Sequence, residues 1–471
     1  MQQSKDMKTT VGAITPQVLS YTAGEDVDLD RQLIDADCIG TAAHVTMLAA
    51  MPLKPPLFSK VQRDRIIDGL VRIMQDARRE RFQITLKDQD VHLAVERVLT
   101  ARLGDLGRKV HTGRSRNDQV AVDLRLFAKE QMLATTAELG VLADALLKFG
   151  YRHRVVPMVG RTHMQPAMPS SVGLWASAYA EGLLEDQVML QAAYEINDRC
   201  PLGSAAGYGV PLPIDRRLTS DLLGFRRPYH NVICAANGRG KLETATLMAL
   251  SQIMTTLSRL AQDLMIFTMP EFGYFKLPSS MCTGSSIMPQ KNNPDILELL
   301  RARAARLTAD AMVVAEITRA LPAGYNRDLQ ETKAPFMRGF LLARSALQVM
   351  TPLLNGLRVD QEALLRGFSP AVFATDRALA LARQGMPFRE AYRQVKEHLA
   401  DLETADPKAA LSVKDHLGAP AGLDWKMMRR EVAAMRRMTA AARRRHYSRI
   451  SRLLRTNWRG SNSKLDVSRP G

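Results

Sequence analysis

The sequence predicts a mainly α protein with an elongated central bundle of long helices. Three observations carry that expectation. From Lys241 to Met269 there is no Gly or Pro, and Leu250, Ile253, Met254, Leu257, Leu260, Ala261, Leu264 and Met265 follow the i, i+3, i+4, i+7 spacing of one helix face. Further long helical stretches run over about 170–198, over 294–320 and from about Asp118 to Phe149. Strand-like alternation is scarce, and Pro and Gly gather at 199–213, 269–294 and 418–422, where loops join helices. Helices well beyond the usual ~11–12 residues pack as a bundle.

The chain has 471 residues, more than one ordinary domain of roughly 100–200. The expected division is an N-terminal helical domain over 1–110, the long-helix bundle over 111–362, a C-terminal helical domain over 363–425 and a basic tail over 426–471. With 46% hydrophobic and 24% charged residues the composition is that of a globular protein and excludes global disorder. The net charge of +17 is concentrated in the tail, where fourteen Lys and Arg face only Glu431 and Asp466. The tail thus carries +12 and the body +5. The plainer reading of the tail is a solvated, partly disordered extension. The alternative is an arm for nucleic acid or a membrane surface, because Arg443-Arg-Arg445 and the spaced Arg residues to Arg459 allow a basic amphipathic helix.

Cys38, Cys200, Cys234 and Cys282 form no C-x-x-C pair, so free thiols are expected rather than disulfides or a zinc site. The first residues, Met1 to Tyr21, hold no apolar core of signal-peptide length, and no apolar run approaches the ~18 residues of a membrane span. A soluble cytoplasmic protein without membrane contact is expected.

Three polar segments interrupt the helical background. The first, His111-Thr-Gly-Arg-Ser-Arg-Asn-Asp-Gln119, groups Arg and Asn donors suited to carboxylates, since guanidinium binds carboxylate in a bidentate manner. Its plain reading is a loop capping the next helix through Asn117 or Asp118. The second, Gly160-Arg-Thr-His-Met-Gln-Pro-Ala-Met-Pro169, holds His163, which exchanges protons near neutral pH, between Thr162 and Gln165; Pro169 then starts a helix. A lone His is more often structural than catalytic. The third, Thr283-Gly-Ser-Ser-Ile-Met-Pro-Gln-Lys-Asn-Asn-Pro-Asp295, ends as a helix start with Asn293 as N-cap and Pro294 in the first turn; with Lys291 it suits an anion. The plain reading is a capped loop. No phosphate-loop, dinucleotide or metal-ligand spacing occurs. Tyr325-Asn-Arg-Asp-Leu-Gln-Glu-Thr-Lys333 reads as a helix N-terminus with a solvated face, and Asp90-Val-His-Leu-Ala-Val-Glu96 as amphipathic helix surface. Together the segments suit a site gathered from distant loops to bind a small polyanion and move protons.

In this order they resemble the aspartase/fumarase superfamily and, within it, the argininosuccinate lyase branch. The resemblance rests on 111–120, 160–165, Pro201-Leu-Gly-Ser204 and 284–295, with 325–333 favouring that branch, and it runs from about Asp26 to about residue 420. It implies a three-domain fold around a central helix bundle and a homotetramer in which each active site draws segments from three subunits. The implied reaction is β-elimination of a C–N bond releasing fumarate, from argininosuccinate, with no cofactor or metal. It further implies Ser285 as base on a mobile loop aided by Lys291, and His163, charged through Glu298, assisting the leaving group. Arg116, Asn117, Thr162, Lys291 and Asn293 would surround the fumarate part, and Tyr325, Gln330 and Lys333 the arginine part. His92 matches the histidine of the family's D-x-H segment.

The chain departs from the pattern in places. Asp26 replaces a substrate-touching Ser, and a carboxylate there is unfavourable beside a polyanion unless a cation adjoins it. Asn292 replaces a second Lys, Pro166 and Met168 replace Arg and Gln, and Asn237-Gly-Arg-Gly240 lacks an acid after its Arg. The alternatives are therefore a lyase for another N-substituted succinate, such as ethylenediaminedisuccinate, or a non-catalytic crystallin-like relative.

Overall fold

Five helices of 24 to 37 residues form the body of the protein: α5 (Arg116–Arg152), α6 (Val172–Asn197), α7 (Lys241–Thr268), α8 (Asp295–Arg319) and α9 (Lys333–Gly356). The structure is a computed structural model and describes residues 7–9 and 12–461. The apolar stripe read from the sequence is the core face of α7: Leu250, Ile253, Met254, Leu257, Leu260, Ala261 and Leu264 are buried, against α8, α6 and α9. Ahead of the bundle lies a layer of α1 (Pro16–Ala23), α2 (Ile34–Ala50), α3 (Lys60–Arg78) and α4 (Val91–Leu103). After it, short helices at Ala374–Arg383 and Phe388–Glu397 close a small satellite core around Ala378, Ala391 and Val395. Among the described residues no single helix is long and apolar enough to cross a membrane, and the four cysteines are free.

Helix starts differ from the sequence expectations in informative ways. Ser115, not Asn117 or Asp118, caps α5, and Asp118 closes a capping box by accepting the Ser115 N–H. The other Asp118 oxygen accepts the N–H groups of Gly203 and Ala205 at 2.9 and 3.0 Å, so the 201–209 loop is pinned to the start of α5. Pro169 lies in a strand rather than starting a helix: β1 (Pro157–Thr162) and β2 (Gln165–Ser171) form a hairpin, and Ser171 caps α6. Asn293 pairs with Thr283 in a short ladder instead of capping α8, which begins at Asp295 with no side-chain cap.

The largest correction concerns the tail. Residues Trp425–Leu454 form α10, which lies along α5 and reaches α2, α3 and α6. Met428, Val432, Met435, Ile450, Leu453 and Leu454 are buried at helical spacing, an apolar stripe hidden by the Arg residues between them. Two glycines of α5 permit the close approach: a Cβ on Gly140 would stand 2.9 Å from Met435, and one on Gly150 would stand 3.0 Å from Trp425. Beyond the helix, the Arg78 guanidinium lies 5.5 Å over the Trp458 ring, and the Ser461 N–H donates to Glu130 at 2.7 Å. The stretch to Ser461 is thus part of the packed body; residues 462–471 lie outside the described residues.

This packing has a measurable consequence. Ile450→Ala removes a fully buried side chain and should cost about 2–5 kcal/mol in denaturant unfolding. Arg444→Ala on the exposed face should cost within about 0.5 kcal/mol. Equal, negligible effects would place α10 in solvent.

Candidate active site

The expected site residues occupy two ends of the bundle. At the first end Lys333, the first residue of α9, is 2% exposed and donates to Asp26 at 2.9 Å and Asp30 at 2.7 Å. Burial disfavours its charge, but Asp30 and Asp26 outweigh burial and hold the ammonium above the usual lysine pKa. Asp26 in turn is pushed up by burial, against the pull of Lys333. The departure at Asp26 therefore has its cation, supplied by the 325–333 segment. The same segment clamps the end of α1, where the Gln330 amide donates to the Thr22 carbonyl at 3.0 Å. Lys333 is buried rather than on a solvated face, and Tyr325 is half-buried.

Asp30 and Asp90 carry this cluster to α4 and α5. The second Asp30 oxygen accepts the Val91 N–H at 3.0 Å. Asp90 caps α4 through the Leu93 N–H and accepts from Arg116 Nη1 at 2.9 Å. Arg116 and Asn117 form the exposed-facing first turn of α5, both half-buried. His92 is buried rather than surface: its Nδ1 lies 2.8 Å from Asp37 Oδ1 on α2 and 3.5 Å from Asp123 Oδ2 on α5. Burial opposes the imidazolium, but the Asp37 hydrogen bond and the charges of Asp90, Asp37 and Asp123 hold the pKa at about 9. Burial and the Asp37 charge push the Asp123 carboxyl well up. The buried ring and its two carboxyl neighbours thus form one mutually interacting group. Its ligand-type atoms all lie within 4.8 Å, so among the described residues this is the group that could also hold a metal ion.

At the second end, the β1–β2 hairpin turns through His163 and Met164, both with left-handed backbone at φ +52° and +64°. That conformation costs roughly 1–2 kcal/mol per non-glycine residue, and such strain clusters at functional sites. Here it holds His163 and Thr162 at an exposed tip. Arg161 anchors the hairpin, with its guanidinium 5.1 Å over the Phe272 ring and 3.4 Å from the Tyr274 hydroxyl. The neighbouring loop is closed at its neck by Thr283 paired with Asn293 and Gly284 with Asn292. Inside it the Ser285 Oγ accepts the N–H groups of Ile287 at 3.4 Å and Met288 at 3.1 Å. Lys291 and Glu298 are exposed beside it, and no hydrogen bond or ion pair joins His163 to Glu298 within the described residues of one chain.

The ends are far apart. At about 1.5 Å per residue, α5 spans about 55 Å and α7 about 42 Å. α5 starts at Arg116 and ends where Phe149 meets Phe275, ring centroids 6.4 Å apart. α7 starts where Arg239 donates to the Leu329 carbonyl at 2.9 Å and ends where Phe267 meets Phe275 at 5.8 Å. One chain thus groups Arg116, Asn117, His92, Tyr325, Gln330 and Lys333 at one end, and Thr162, His163, Ser285, Lys291, Asn293 and Glu298 at the other. Asp37 and Asp123 were not among the expected residues. Their signal was an acid on an otherwise apolar buried helix face, which demands a partner.

A family model described as Lyase matches residues 23–308. An argininosuccinate lyase of Sorangium cellulosum is 43% identical over 414 residues, covering 88% of this chain and 95% of the relative. One of Bacteroides fragilis is 41% identical over 382 residues, covering 81% and 85%. This chain belongs to the argininosuccinate lyase family. As a member it is a carbon–nitrogen lyase of the aspartase/fumarase superfamily. A solved structure of EDDS lyase in complex with formate aligns with TM-score 0.77 and 23% identity over 94% of this chain and 95% of that one, a likeness of fold.

For this lyase the His92 trio sets a pH dependence. Its folded pKa of about 9 exceeds the unfolded value of 6.5. The stability it contributes is therefore fully present below about pH 6.5 and is lost as pH rises through about 9. Thermal melting should fall between pH 7 and 10 in the wild type, and the fall should be smaller in His92→Gln. An unchanged slope in that variant would show that His92 is not held protonated.

Proposed function

We propose that this family member cleaves argininosuccinate to arginine and fumarate, at sites that copies of the chain build together as a cytoplasmic homotetramer. The observation that carries the reading is the separation of two complementary half-sites along helices of about 42–55 Å. One end holds the base and acid candidates with Thr162, Lys291 and Asn293, and the other holds Arg116, Asn117 and the cluster for the amine part, so neither end is complete alone.

The chemistry follows from the groups. Ser285 takes a proton from the carbon next to a carboxylate of the succinyl part. A serine hydroxyl is a weak base unaided, and an alkoxide on Oγ would be held by the two amides that already donate to it and by the nearby Lys291 charge. The electron pair moves into that carboxylate, whose doubled charge Arg116, Asn117, Thr162, Lys291 and Asn293 offset. The pair then forms the C=C bond as the C–N bond breaks, and His163, charged through Glu298, protonates the departing nitrogen. Fumarate and arginine leave with atoms and charge balanced. At the amine end Lys333, Asp26 and Asp30 together carry one net negative charge, so Asp26 faces a cation more favourably than an anion. That matches an arginine part and weakens the objection that Asp26 raised. Gln330 and Tyr325 line the same region.

Three outcomes are expected. Purified protein given argininosuccinate should develop the ultraviolet absorbance of fumarate, and Ser285→Ala should lose about a thousandfold or more in kcat, within the range of a lost base. Ser285→Ala and Arg116→Ala, each nearly inactive, should recover activity when their subunits are mixed and reassembled; failure to recover would mean that each chain carries its own complete site. Asp26→Ser should lower kcat/KM for argininosuccinate at least about tenfold, the worth of roughly 1.4 kcal/mol. A gain instead would favour the reading in which another N-substituted succinate is the natural substrate.

A further inference from the structure

The basic face of α10 serves no step of the proposed reaction. Its inner stripe is fixed to the body, so its outer charges ride on a rigid rod of 30 residues, about 45 Å long. Between residues 426 and 459 every Lys and Arg is exposed, and the one acid among them is Glu431. Some have partners: Arg429 lies over the Tyr151 ring, Arg436 meets Asp144 at 3.8 Å and Arg455 meets Asp64 at 3.3 Å. Among the described residues Arg430, Arg437, Arg443, Arg444 and Arg445 form no salt bridge and lie over no aromatic ring, although Arg443 and Arg445 are near enough to act on the Tyr447 and Tyr194 hydroxyls. Arg430, Arg437 and Arg444 repeat every seven residues, so they form a straight row with steps of about 10.5 Å. The row runs toward a cavity of about 190 Å³ lined by Arg63, Arg449, Arg452 and Arg455, with Thr46 and a single acid, Asp64. Arg63 and Arg455 share Asp64 at 2.7 and 3.3 Å, which leaves Arg449 and Arg452 as the guanidinium groups there not paired to that acid and able to take an oxyanion.

We propose that this face of α10, together with the arginine-lined cavity at its end, is a docking surface for the phosphate backbone of double-stranded nucleic acid. The residue types favour that partner. The side chains are almost all Arg, the bidentate phosphate donor, and they lie in a row along one face of the helix. The exposed face has no aromatic residue: Trp458 is buried, and Trp425 and Tyr447 are half-buried against the body. Stacking on unpaired bases is therefore not part of the contact, and binding is independent of sequence. Exposed apolar side chains on the helix are Met427 and Met438, too few for insertion into a lipid surface.

The test uses the full-length protein and a fluorescent DNA duplex of random sequence, about 20 base pairs long, read by anisotropy. Affinity should fall about a thousandfold or more between about 50 and 200 mM salt, as expected for six or more phosphate contacts. The variant Arg443→Glu/Arg444→Glu/Arg445→Glu should weaken binding at least tenfold and steepen nothing in the lyase assay, where its kcat and KM stay at wild-type values. Arg449→Ala/Arg452→Ala should reduce the salt slope by about 2. Absence of DNA binding at low salt, or binding unchanged in both variants, would overturn the proposal. So would equal affinity for polyglutamate or for phosphatidylserine vesicles, which would assign the face to an acidic protein or to a membrane surface.

Discussion

Straight helices of fixed rise are the constraint on which the rest of this structure depends. α5 and α7 cannot bend their ends together, so residues at their two termini stay about 40 Å or more apart in one chain. Chemistry that needs both ends needs more than one chain. The two ends are also prepared differently. The Lys333–Asp26–Asp30 and His92–Asp37–Asp123 clusters are buried and interlocked, joining the short turns at residues 26–32 to α2, α4, α5 and α9. The hairpin tip and the Ser285 loop project outward with His163, Lys291 and Glu298 exposed. A rigid, satisfied receptor at one end and projecting reactive groups at the other suit a site completed when copies of the chain meet.

Charge explains why the first end tolerates its departures. An isolated carboxylate at Asp26 would be costly beside a succinyl dianion. Paired with Lys333, and with Asp30 beside it, it becomes one pole of a cluster with a single net negative charge. Arg116, held by Asp90, supplies the opposite pole a few residues away on α5. The cluster thus presents positive and negative faces side by side, as a substrate with a dicarboxylate part and a guanidinium part requires. The His92 cluster works in the same way: burial alone would strip the proton from the ring, and the neighbouring acids Asp37, Asp90 and Asp123 restore it.

Much of this was legible in the sequence, and the parts that were not have identifiable causes. The α7 stripe was plain because no Gly or Pro breaks it and its apolar residues keep one period. The polar segments were plain because they interrupt that period. The β1–β2 hairpin was hidden: its turn is His163-Met164 rather than a glycine-bearing pair, and Pro166 and Pro169 argue against a strand. The His92 partners were hidden because Asp37 and Asp123 come from other helices, 55 and 31 positions away in sequence. The packing of α10 was hidden by its charge. Arg residues fill most of the positions between Met428, Val432, Met435 and Ile450 that face water, and a count of charges outweighs a stripe of few, well-spaced apolar residues. What sequence reasoning lacked in each case was which elements lie against one another.

The central claim is that the reacting groups on one substrate come from different copies of the chain. The most direct measurement is a crystal structure of the assembled Ser285→Ala protein with argininosuccinate bound. The account predicts the succinyl carboxylates between Arg116 and Asn117 of one chain and the 283–293 loop of another, with His163 from a copy other than the one supplying Arg116. A substrate whose contacts all come from a single chain would contradict it.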